Sequence, residues 1–178
     1  MSFLPAISAC VVLGLFGACG GNERRPGWLR PFTEDEATAL VKLCLPGAKR
    51  TADRPDGEVV WLLRDPGPDD GPTFRIDMRF GWENTARTKL GAMSVGAYGP
   101  STESTPANGR RYRAAVSCAF GSDVVPADVR ATLISLVETL DAPGRSEARR
   151  EGFLITVSET STMHEDFFAS ATVFGPVK

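Results

Sequence analysis

Hydrophobic and polar residues alternate most cleanly over residues 74–82, where Phe74, Ile76, Met78, Phe80 and Trp82 interleave with Arg75, Asp77, Arg79 and Gly81. A period of two puts each set on one face of a strand, so one face is predicted buried and the other wet. The same period recurs over residues 111–120, with Tyr112, Ala114, Val116, Cys118 and Phe120 on one side and Arg111 and Arg113 on the other. A nearly continuous apolar run at 58–64, a weaker one at 90–98, and a terminal hairpin from 153–158 and 168–174 complete about six predicted strands.

Helical spacing appears twice. Thr33 followed by Glu36 makes a capping box, and Ala37, Leu40, Val41 and Cys44 then form one stripe that Pro46-Gly47 ends. Near Pro126 a second stripe begins, through Val129, Leu133, Leu136, Val137 and Leu140, and Pro143-Gly144 stops it. Residues 99–109 are rich in Ser, Thr, Pro and Gly and read as a hairpin loop. The predicted order is helix, four strands, helix, two strands, which lacks the alternation of a parallel doubly wound sheet. The expected fold is α+β, a mostly antiparallel sheet of about six strands with two helices packed on one face.

The amino terminus changes the picture. Residues 1–22 carry no charged side chain, and residues 6–16 form an apolar run of the length of a signal-peptide core. The run ends in Phe16-Gly17-Ala18-Cys19, which resembles the lipobox of bacterial lipoproteins. The resemblance implies that Cys19 is lipidated and becomes the new amino terminus. It divides the chain into a signal peptide over 1–18, a lipid-anchored tether over 19–31 and one α+β domain over 32–178. Retention as a short single anchor and cleavage with release are the other fates open to such a segment.

Export favours disulfides over thiols. With Cys10 in the apolar run and Cys19 as the lipid acceptor, Cys44 and Cys118 remain as a pair, predicted to bridge the first helix to the sheet. The 20 Lys and Arg against 22 Asp and Glu leave a net charge of −2, which provides no excess positive field for nucleic acid.

Catalytic constellations are sparse. The one histidine, His164, lies in a His-Glu-Asp run whose consecutive side chains do not converge, so no metal site or cofactor is expected. Ser94 with Asp128 or Asp141 and His164 follows the Ser, Asp, His order of α/β-hydrolases. The segment after Tyr98 cannot supply the helix that such a nucleophile needs, so a serine hydrolase stands as the alternative. Asp65, Asp69 and Asp70 read as an acidic turn. Arg75, Arg79, Arg111 and Arg113 are expected on one wet sheet face, where planar guanidinium groups suit carboxylates and phosphates. The leading expectation is a membrane-tethered binding or accessory module whose ligand the sequence does not name, with an anionic ligand or an envelope protein as candidate partners; an envelope protein-interaction domain is the second alternative beside the hydrolase.

Overall fold

The computed structural model describes residues 27–51, 53–64, 74–99, 105–121, 123–140, 144–160 and 167–176. Helix α1 (Glu34–Cys44) is followed by strands β1 (Lys49–Arg50), β2 (Val59–Arg64), β3 (Arg75–Trp82) and β4 (Leu90–Gly99). Helices α2 (Thr105–Ala119) and α3 (Ala127–Thr139) then lead to β5 (Gly144–Arg150), β6 (Phe153–Thr160) and β7 (Phe167–Phe174). The strands make one antiparallel sheet in the order β1-β2-β3-β4-β7-β6-β5. Two meanders therefore meet at its centre, β4 against β7. The α+β expectation holds, with seven strands and three helices among the described residues.

Register defines the two faces. Trp61, Met78, Val95, Ala171 and Val157 lie opposite one another across five strands, and all are buried. The neighbouring row of Val59, Phe80, Met93, Val173 and Ile155 is buried as well. This inner face packs on Leu40 and Val41 of α1, Tyr112 and Val116 of α2, and Val129 and Leu133 of α3 in one core. Because strand side chains alternate, the intervening residues form an outer face directed away from that core.

Helix α1 begins at the expected cap, with the Glu36 amide donating to Thr33 Oγ1 at 3.3 Å, but the reciprocal half of the box is not made, since Glu36 Oε2 is buried without a partner among the described residues. The segment over 111–120 is corrected: it belongs to α2 and is not a strand, and the expected loop before it supplies the first turn from Thr105-Pro106. Tyr112, Ala115, Val116 and Ala119 are buried while Ala114 is exposed, which is a helical face and not an alternating one. Tyr112 and Val116 suit both periods, and the alanines at 114, 115 and 119 favour the helix. Proline in a first helical turn costs no internal hydrogen bond.

Strands β1 and β5 are additions at the two edges of the sheet. The first is two residues long; the second is small and charged, Gly, Ser and Ala among Arg and Glu, as edge strands that resist further pairing are. Cys44 and Cys118 are bonded with Cα atoms 5.6 Å apart. The pairing is as expected, but the bridge joins α1 to α2 and not a helix to the sheet.

Candidate functional site

The outer face has four rows. At its centre, Ser94, Thr172 and Thr156 lie side by side on β4, β7 and β6, and Gly96, Ser170 and Ser158 form the next row. Arg79 and Asp77 of β3 flank these rows on one side, and Glu147 and Arg145 of β5 on the other. A third row places Arg64 and Arg75 beside Tyr98 and Phe168. At the opposite end Ala92, Phe174, Leu154 and Arg149 make the fourth.

Three aromatic side chains on this face, Tyr98, Phe168 and Phe174, are 42%, 38% and 40% exposed, whereas Trp61, Phe80 and Phe153 of the inner face are buried. The Arg75 guanidinium lies 5.9 Å from the centroid of the Tyr98 ring, within reach of a cation–π contact. An open depression of about 330 Å³ lies here, lined among others by Leu62, Arg75, Asp77, Arg79, Tyr98 and Phe168.

Its polar wall is ordered. Arg79 donates from Nε and Nη2 to the two oxygens of Asp77 at 2.7 and 2.9 Å, and these hydrogen bonds hold its guanidinium above the ordinary arginine range. The Asp77 carboxylate leans across β4 so closely that a Cβ on residue 96 would stand 2.9 Å from Oδ1. Glycine at 96 is what lets the pair lie flat on the sheet.

No family model matches the chain, and no curated protein or solved structure matches it significantly.

Among the described residues Lys49, Arg64, Arg75, Arg79, Arg145 and Arg149 belong to the outer face by register, against Asp77 and Glu147, with Glu58 within electrostatic reach of Arg79. Among the described residues Arg79 is the only one of the six with an ion-pair partner. The face is thus cationic in a chain whose net charge is −2.

The four arginines predicted to share a sheet surface are separated. Arg75 and Arg79 are on the outer face, but Arg111 and Arg113 ride on the exposed side of α2. The Arg111 guanidinium lies 5.3 Å from the Phe74 ring centroid, and Arg113 is within electrostatic reach of Glu159. Arg145 and Arg149 of β5 take their place on the outer face. A signal for them existed in residues 144–149, where Gly, Ser and Ala alternate with Arg, Glu and Arg.

The hydrolase arrangement loses its geometry. Ser94 sits inside a continuous ten-residue strand with its side chain on the outer face, while Asp128 opens α3 on the inner side. The segment after Tyr98 does lead into a helix, α2 from Thr105, contrary to expectation, but a nucleophile elbow needs that turn at the serine, and β4 runs on from Ser94 to Gly99. His164, Asp141, Cys19 and the acidic turn with Asp65, Asp69 and Asp70 lie outside the described residues.

A second cluster lies on the inner side. Glu159 ends the row of Leu63, Ile76, Ala97 and Ala169, near Tyr112 of α2. Burial pushes the Glu159 carboxyl up, and Arg113 opposes this. Burial and the Glu159 charge also push the Tyr112 phenol up, and its hydroxyl is buried without a hydrogen-bond partner among the described residues. The disulfide suggests an oxidising, extracytoplasmic environment. Among the described residues no helix is long and apolar enough to cross a membrane.

Proposed function

We propose that the protein is an exported lipoprotein, tethered through Cys19, that acts as a binding module with the outer sheet face as its ligand surface. The observation that carries the reading is a sheet face without helical cover among the described residues, cationic and bearing three partly exposed aromatic side chains. Antiparallel sheets often leave one face to water, but such faces are ordinarily polar, and exposed aromatic groups beside cations mark recognition surfaces. The lipobox-like Phe16-Gly17-Ala18-Cys19 supports the anchor, and the disulfide suits the compartment it leads to. From Cys19 to the first described residue the chain can span about 28 Å, which holds the domain close to the bilayer.

The test is expression of the full chain in a bacterium, followed by membrane fractionation and intact-mass analysis. A diacylated or triacylated product in the membrane fraction, absent in Cys19→Ser, is the expected result. An unacylated mature chain in the culture medium rejects the anchor.

A further inference from the structure

By register the outer face is laid out as a shallow basin, with small residues at its centre and longer ones around it. Across β4, β7 and β6 its two central rows hold only Gly, Ser and Thr; the Asp77 carboxylate lies over Gly96, and the remaining floor along β7 and β6 is low and hydroxyl-rich. Longer charged side chains on β3 and β5 stand on either side, four strand spacings or about 19 Å apart. Phe168 and Phe174 stand at the two ends of β7, six residues or about 20 Å apart along one strand face. Arg75 sits at one corner and Arg149 at the corner diagonally opposite.

Each part of the basin asks something of an occupant. The cations require anionic groups, and guanidinium forks suit carboxylates or phosphates. The floor requires a hydroxyl-bearing ligand that can exchange hydrogen bonds with Ser94, Thr172 and Ser170. The terminal aromatic rings require flat, weakly polar C–H faces. A bilayer surface meets the first demand only, since headgroups resting on the walls and rings do not reach the floor.

We infer that the basin binds a linear acidic glycan, a chain of sugar rings carrying carboxylates or phosphates, laid along β7 between the two arginine-bearing walls. Sugar rings supply all three chemistries at once: acidic groups for Arg75 and Arg149, hydroxyls for the floor and C–H faces for Phe168 and Phe174. The inference rests on the outer face being the ligand surface, and it names the class of ligand. It does not depend on the fate of Cys19.

The experiment uses the full chain in mild detergent and measures binding by calorimetry to polygalacturonate, a phosphomannan, neutral dextran, polyglutamate and vesicles containing phosphatidylglycerol. Binding to polygalacturonate or to the phosphomannan, weakening with salt and absent for dextran, is expected. Arg75→Ser with Arg149→Ser should weaken it about tenfold or more, as the loss of two exposed charge-assisted contacts implies. Ser170→Trp should abolish binding without changing any charge, by filling the floor; the melting profile of each variant reports whether it is folded. Failure of both acidic glycans to bind overturns the inference. So does equal binding of polyglutamate, or binding of vesicles alone, or unchanged affinity in the folded variants. Glycan binding by a chain found unacylated at Cys19 would remove the tether and leave this inference standing, and the converse result would do the reverse.

Discussion

Gly96 is where the central strand makes room for a charged pair. Asp77 is fixed by two hydrogen bonds from Arg79, at 2.7 and 2.9 Å, so its carboxylate cannot yield freely to a methyl group placed 2.9 Å away. Gly96→Ala should cost about 1–2 kcal/mol, the usual penalty for crowding a packed site. Gly81→Ala, whose new Cβ would meet Ala92 Cβ at 3.9 Å, should change stability by less than about 0.5 kcal/mol. Comparison of the two by urea unfolding checks the assignment. Equal effects would mean that loss of glycine flexibility, and not the Asp77 contact, sets the cost. Glu159 provides a titration test at the same scale. Its carboxyl is held above the ordinary value of 4.5, chiefly by burial, so the native state takes up the proton more readily than the unfolded chain. Its contribution is most favourable below the unfolded value and is lost as pH rises through the folded one. Glu159→Gln should therefore stabilise the protein near pH 7 and leave it unchanged near pH 3, as read by thermal melts at the two conditions.

At the level of elements, β5 and β6 are joined by the two residues Glu151 and Gly152, with φ of 48° and 81°. A two-residue hairpin of the I′ type needs positive φ at both, a conformation that glycine and asparagine adopt far more readily than glutamate. Glu151→Asn should raise stability by about 0.5–1 kcal/mol, measured as an increased urea midpoint at constant slope. A decrease would show that the Glu151 side chain contributes more than its backbone strain removes. The strand this turn introduces illustrates why β5 escapes a reading by hydrophobicity. An edge strand with one free side and few apolar residues carries its pattern as small against charged residues. In α2 the opposite occurs, because Tyr112, Val116 and Phe120 recur at even spacing and mimic a strand. What separates the two readings is that Ala115 and Ala119 are buried while Ala114 is exposed, a distinction made by the core the segment enters.

For the molecule as a whole, the Cys44–Cys118 bond closes a loop with a sequence separation of 74 and ties the first helix to the second. Constraining an unfolded chain over that length is worth about 4 kcal/mol in the chain-entropy account. Cys44→Ala with Cys118→Ala should lower the unfolding free energy by up to that amount. Reductant should lower the wild-type midpoint and leave the double variant unaffected. A variant as stable as the oxidised protein would show that α1 and α2 are held by packing alone. Both helices lie on the inner side, so the bond stiffens the layer beneath the sheet.

The sequence by itself determined the segments in which local chemistry has a single solution. The alternation over residues 74–82, the capping box at Thr33 and Glu36, the stripe from Val129 to Val137 and the surplus of exactly two cysteines beyond residues 1–22 each point one way without a partner. Tertiary structure decided everything that depends on which segments become neighbours. It made residues 111–119 part of a helix, which packs against β4 and β7 and so buries its apolar side. It also put Arg75 and Arg149 on one surface and removed Arg111 and Arg113 from it, since β4 pairs with β7 and brings together strands from the two meanders. Strand order is set by how the buried faces are best covered, a property of the assembled core that no window of the chain contains.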